Sequence, residues 1–209
     1  MQESYLTLRE VDLSKYKQQK HVGGIYKDYN QEQINKIQVS KQADVMVLFY
    51  LLEEQFSEAV KKASWSYYEP RTLHDSSLSL STHSVLACDI GDVELGYQMF
   101  RKACGIDLSN ENPHSSDAGI HAASCGGLWQ CVVYGFGGVR MLGGKLRISP
   151  KLPEAWSALR YTILWQGQKL RVTAKHGALE IHNETNTAPV TLEVHGKEYS
   201  FIDNLTVYF

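Results

Sequence analysis

Polar residues gather in three short stretches of this 209-residue chain, each placed where a helix is expected to begin. They are Ser40-Lys41-Gln42, then Tyr67-Tyr68-Glu69-Pro70-Arg71-Thr72-Leu73-His74-Asp75-Ser76-Ser77-Leu78-Ser79, and Ser115-Ser116-Asp117-Ala118-Gly119-Ile120-His121-Ala122-Ala123-Ser124. Unpaired N–H groups and the helix dipole draw anions to a helix N-terminus, so hydroxyls and an imidazole beside one can hold phosphate. Ser76, Ser77, His121 and Ser124 fit that use. Equally, the serines can simply cap their helices and His121 can be a hydrogen-bonded core residue. Lys41 and Gln42 open a strongly apolar segment, where a lysine either reaches solvent or meets a polar partner. Side by side, an ammonium and an amide can grip sugar hydroxyls. Glu69 is a candidate general acid and makes a carboxylate pair with Asp75, but a turn carboxylate pairing with Arg71 is the simpler expectation.

Other chemistries find no motif. GxSxG, a P-loop, a GxGxxG after a strand, HExxH and paired CxxC are all missing, which leaves serine hydrolase, NTPase, dinucleotide and zinc readings unsupported. The eight histidines are dispersed and no metal is expected. Cys88, Cys104, Cys125 and Cys131 are read as reduced, structural residues in apolar helical contexts.

The elements that must position these residues fall into two parts. Residues 1 to 30 read as an irregular lead-in unable to close a core by itself. The run Ala43 to Leu52 is too long and apolar for a typical strand and predicts a largely buried helix. Further helices are expected from Phe56 to about Tyr68, ending before Pro70, then Thr82 to Cys88, Val93 to Cys104 and Ala122 to Tyr134. After Gly143-Gly144 the pattern becomes short alternating runs: Leu146–Ile148, Leu159–Trp165, Leu170–Ala174, Ala178–His182, Val190–Val194 and Tyr199–Phe201. Glycines and asparagines punctuate them, which predicts a small antiparallel β-sandwich. The expected division is a helical region over residues 1–142 and a β-domain over 143–209, packed together without a flexible linker.

Composition agrees with an ordinary folded protein, 43% hydrophobic and 21% charged. The net charge of −2, with signs interspersed, leaves no footprint for nucleic acid or an anionic membrane. The N-terminus lacks the basic start and apolar stretch of a signal peptide, and the expectation is a cytoplasmic protein.

Four blocks in order, KQADVMVLFYLL, YYEPRTLHDSSLSLSTHS, GIHAASCGGLWQ and GFGGVRM, with LREVDLSKY ahead of them, resemble the C-terminal half of family 65 glycoside phosphorylases. The resemblance implies a fold that is mainly α followed by β, in which the last helices of an (α/α)6 barrel precede a small C-terminal β-domain. It also implies phosphorolysis of an α-linked disaccharide with inversion, giving β-glucose 1-phosphate and a free sugar, with phosphate as co-substrate and no cofactor. Carried over by position, Lys41 and Gln42 match the pair that holds the donor glucose. Ser76 and Ser77 of HDSS, with His121 and Ser124 of GIHxxS, match the loops around phosphate.

The family's general acid is a glutamate upstream of the lysine-glutamine pair, and Glu69 does not match it. No catalytic acid is therefore expected within these residues, and the chain alone is expected to be inactive. An upstream catalytic half or a second copy is the expected partner, since a partial barrel exposes apolar helix faces. The rival reading is a non-catalytic carbohydrate-binding or interaction remnant. A third, a hydrolase relative, would need Asp75 or Asp117 as base. The departures LSLSTHS and HAASCGG leave the choice of sugar open.

Overall fold

The computed structural model describes residues 2–17, 22–109, 112, 114 and 119–209. Short helices α1 (Gln2–Leu6), α2 (Ser14–Lys17) and α3 (Gln31–Ile34) come first. Asn30 starts α3 with a capping box, its side chain accepting the Gln33 N–H while the Gln33 side chain accepts the Asn30 N–H. The lead-in does not close a core by itself, as the sequence suggests: Leu13, Tyr16 and Ile25 are buried with Ile37 and Leu73 from beyond it. The apolar positions are scattered locally, and they converge only because residues 37 and 73 supply the other wall.

The longer helices are α4 (Asp44–Leu51), α5 (Glu58–Tyr68), α6 (Ser79–Asp89), α7 (Val93–Cys104) and α8 (Ala122–Gln130). Local chemistry sets several ends. Ser57 Oγ accepts the Val60 N–H at 3.3 Å, Asp92 accepts the Leu95 N–H at 3.1 Å, and α5 ends just before Pro70. The expected helix over Ala122–Tyr134 splits. Beyond Gln130 the chain continues as a π-helix, Cys131–Phe136, with Gly137 N–H reaching the Val132 carbonyl five residues back.

Helix α6 is the central one, with Ser79, Ser81, His83, Ser84, Val85, Leu86, Ala87 and Cys88 all buried. Its small residues let neighbours come close: a Cβ on Gly127 would strike the Ser81 side chain, so α8 crosses α6 nearly backbone to backbone.

Eight strands follow: β1 (Val139–Leu142), β2 (Lys145–Ile148), β3 (Ala158–Trp165), β4 (Gln168–Lys175), β5 (Ala178–Asn183), β6 (Val190–Val194), β7 (Lys197–Phe201) and β8 (Asn204–Tyr208). They form two four-stranded sheets, ordered β1-β2-β6-β7 and β3-β4-β5-β8. Pairing begins at Val139, ahead of the Gly143-Gly144 turn. The expected all-antiparallel sandwich needs one correction, because β2 and β6 run parallel. Between them the chain builds β3, β4 and β5 in the other sheet, and such a crossover returns it in the same direction. Alternation is plain in β4, where Leu170, Val172 and Ala174 point inward.

One core joins the two parts. Val85, Cys88, Cys131, Val133 and Phe136 from the helices are buried with Val139, Ile148, Leu170, Val172 and Val194 from the sheets. Phe136 lies against Trp156 with ring centroids 4.9 Å apart, and Phe100 packs on both. Beside this knot, buried Arg140 on β1 donates to the Tyr134 carbonyl at 2.6 Å and to Asp89 at 2.5 Å, with Glu53 3.2 Å from its Nε. Lys151 donates to the carbonyls of Cys88 and Asp89. On the outer side of the helices Leu48, Leu51, Leu52 and Val60 are exposed.

Candidate active site

Main-chain hydrogen bonds stitch the first two polar stretches together. Ser40 N–H donates to the Arg71 carbonyl at 2.8 Å, Leu73 N–H to the Ser40 carbonyl at 2.9 Å, and Asp75 N–H to the Lys41 carbonyl at 3.1 Å. They amount to a short parallel bridge between Ser40 and Thr72, and backbone pairing of this kind fixes register whatever the side chains do. The second and third stretches meet through one side chain. Ser124 Oγ donates to the Ser77 carbonyl at 3.2 Å, and Ser124 is only 2% exposed.

Ser76 and Ser77 are half-buried in the turn that feeds α6. Ser76 closes that turn: its carbonyl accepts Ser79 N–H at 3.0 Å and its hydroxyl faces Leu78 N–H at 3.4 Å. His121 caps α8 and is held by Asp107, whose two carboxylate oxygens sit 2.7 Å from Nδ1 and 2.6 Å from the backbone nitrogen. Both contacts, with His121 N–H donating, hold the Asp107 carboxyl below its ordinary range. An Asp beside Nδ1 places the proton there and leaves Nε2 for a ligand. His114, half-buried nearby, is pushed down by burial, partly offset by a hydrogen bond with the His74 backbone and the charge of Asp75.

Lys41 and Asp75 line a hollow of about 420 Å³ with Tyr26, Ile34, Val39 and Leu73. Lys41 and Gln42 are both exposed, and the Gln42 amide donates to Asp44 Oδ1 at 3.1 Å. Thus Lys41 is joined to the serine loop through its backbone, whereas the Gln42 side chain turns to its own helix. Ser115, Ser116 and Asp117 lie outside the described residues.

Glu69 does not pair with Arg71. It accepts from Lys17 Nζ at 3.2 Å and faces His74 Nε2 at 3.6 Å, while Arg71 ion-pairs with Glu10 and donates to Gln38 at 2.8 Å. The lead-in and residue 38 outbid the local pair because Pro70 turns the chain between the two side chains. Asp107 and His114 escaped the sequence reading. Asp107 lies 14 residues before its histidine and adopts a left-handed φ of 64°, neither of which a local sequence pattern shows.

All four cysteines are free, with Cys125 exposed rather than buried. Among the described residues, no group of three or more His, Cys, Asp or Glu side chains is placed to hold a metal, and no helix is long and apolar enough to cross a membrane.

Known proteins resemble this chain in sequence and fold. The family model for the glycosyl hydrolase family 65 central catalytic domain matches residues 1–130, and that for the family 65 C-terminal domain matches 139–201. The chain is 47% identical over 171 residues to a kojibiose phosphorylase of Halothermothrix orenii, a match covering 82% of this chain and 22% of that protein. It is 40% identical over 195 residues to a kojibiose phosphorylase of Escherichia coli strain K12, covering 93% of this chain and 25% of the relative. A solved structure described as "Putative kojibiose phosphorylase from human microbiome" superposes with a TM-score of 0.89 at 31% identity, over 99% of this chain and 27% of that one. The chain thus spans about a quarter of the length of these relatives. It belongs to glycosyl hydrolase family 65.

Proposed function

We propose that this chain is the C-terminal portion of an inverting disaccharide phosphorylase, its helices the last of an (α/α)6 barrel. An α-glucoside and phosphate would give β-glucose 1-phosphate and a free sugar. In that reaction a phosphate oxygen bonds to the anomeric carbon from the face opposite the leaving group as the glycosidic C–O bond breaks. The departing oxygen takes its proton from a glutamate supplied from outside these residues. Phosphate replaces the base of a hydrolase, so the site needs donors to an anion and no cofactor.

The observation that carries this reading is the join between Ser124 and Ser77, which sets the HDSS turn beside a histidine whose Nδ1 is committed to Asp107. In our reading Ser76, Ser77 and His121 Nε2 face phosphate. Ser124, its hydrogen spent on the Ser77 carbonyl, serves the phosphate site by holding that loop. Lys41 and Gln42 hold the donor glucose, and the exposed Leu48, Leu51 and Leu52 face the rest of the barrel.

The test is release of glucose 1-phosphate from maltose, trehalose, kojibiose and nigerose, by the chain alone and mixed with a segment completing the relatives' catalytic domain. Turnover only on mixing, abolished by His121→Ala, supports the proposal. Turnover by the chain alone would overturn the missing acid, and full activity of mixed His121→Ala would overturn the histidine's role. Sugar binding without turnover in any mixture would favour a carbohydrate-binding remnant.

A further inference from the structure

Behind the serine loop lies a polar chain that the proposed reaction does not use. His74 precedes Ser76 by two residues and sits in the left-handed region, φ 58°, which a non-glycine residue adopts only when its surroundings hold it there. Its Nδ1 is 2.9 Å from the hydroxyl of Ser79, the buried first residue of α6. Its Nε2 is buried without a hydrogen bond and faces Glu69 Oε1 at 3.6 Å. Lys17 shares that oxygen, donating to Glu69 Oε1 at 3.2 Å and to the Glu69 main-chain carbonyl at 2.6 Å. On the other side of Ser79, His83 Nδ1 lies 3.0 Å from the Ser79 carbonyl.

These contacts determine where the protons are. The His74 ring 3.6 Å away, with Lys17 close by, lowers the Glu69 carboxyl to about 2, so it is ionised at neutral pH. A bare nitrogen facing an ionised carboxylate would be repelled, so the proton of His74 belongs on Nε2. In the neutral ring Nδ1 is then a lone pair, to which Ser79 Oγ–H donates. A carbonyl only accepts, so His83 donates from Nδ1 to the Ser79 carbonyl and is itself neutral, burial lowering it to about 3. Every hydrogen along Glu69, His74, Ser79 and His83 therefore has one direction.

We infer that Glu69, acting through His74, is a positioning residue for the serine loop: it selects the His74 tautomer that anchors Ser79, and so pins both ends of the turn carrying Ser76 and Ser77. The residues Glu69, His74 and Ser79 are 26% exposed at most, and Ser79 is 1% exposed, so none is placed to attack a substrate. The benefit to phosphate rests on the function proposed above; the tautomer does not.

Ring nitrogen-15 shifts of histidine-labelled full chain test this directly, with backbone amide shifts of Ser76 and Ser77 as the second reading. Wild type is expected to show His74 protonated at Nε2. Glu69→Gln is expected to mix the tautomers, since an amide can face either form, and to move the Ser76 and Ser77 amides while those of Val172 and Leu192 stay in place. Should Glu69→Gln unfold, Ser79→Ala removes only the hydroxyl and must also move both amides. His74 protonated at Nδ1 in wild type, or still serine amides in both variants, would overturn the inference. Inorganic phosphate added to the same samples is expected to bind several-fold more weakly to Glu69→Gln, because the turn carrying Ser76 and Ser77 is less firmly held. If phosphate fails to bind wild type as well, the proposed phosphate site is wrong while the tautomer result stands.

Discussion

Asp107 grips His121 at two points, its Oδ1 at 2.7 Å from the ring Nδ1 and its Oδ2 at 2.6 Å from the backbone nitrogen. One carboxylate thereby orients the imidazole and caps the first turn of α8 together. Asp107→Asn tests the pair cleanly, because asparagine tolerates the left-handed backbone at this position. The amide oxygen can accept one of the two contacts, and the other is lost. On the function proposed above, phosphate affinity is expected to fall about tenfold, the cost of one hydrogen bond to a charged group. Phosphorolysis by the completed enzyme, measured against phosphate concentration, checks it.

Arg140→Met is expected to destabilise the chain by about 3–5 kcal/mol, since it strands Asp89 in a partly buried site without its cation and leaves Glu53 to Arg147 alone. Urea unfolding of the two proteins decides the matter. A loss below about 1 kcal/mol, the range of surface pairs, would show the cluster to be solvated.

Gly138→Ala should be worse tolerated than any surface change. Gly138 has φ of 64°, and an added Cβ would land on the Ser149 carbonyl. Backbone cannot yield as a side chain does, so the expected loss is more than about 4 kcal/mol. Soluble yield and melting temperature report it.

Acid should weaken the fold in two stages. Burial lowers His83 to about 3, so its contribution is complete above the ordinary histidine value of 6.5 and drains away as pH falls toward 3. His114 and His195 shift the same way, also chiefly through burial. Glu69, lowered to about 2 from 4.5, adds a second loss only below about pH 4.5. Each group can contribute at most about 1.4 kcal/mol per pH unit. His83→Gln should flatten the limb between pH 6.5 and 4.5 in unfolding curves and leave the lower limb in place.

Alkylation at pH 8 should label Cys125 first, since it is exposed, whereas burial raises the thiols of Cys88 and Cys131, the latter to about 12. Mass spectrometry of native and unfolded samples distinguishes the two classes.

Elements with strong local signals were legible from the residues. Helix α7 has its Asp92 cap and amphipathic period, and β3 to β6 have alternation between turns marked by Gly167, Gly177 and Asn186. What escaped depends on distant partners. β1 is four residues long and becomes a strand only by pairing with β2. The lead-in buries Leu13 and Ile25 only because Leu73 arrives from another loop. Of the site, the polar loops were visible as residue types. Their joins were not, since Ser124 to Ser77 spans 47 residues and Glu69 chooses Lys17 across 52.

Phe136 gives the shared core a wider meaning. The two family segments meet between residues 130 and 139, and the side chain at 136 stands fully buried with contacts to both. What is inherited as two modules is thus not divisible as matter: a cut at the module boundary would leave each half missing a wall. The small β-unit is less an appendage of the helices than the cast in which their last turns set.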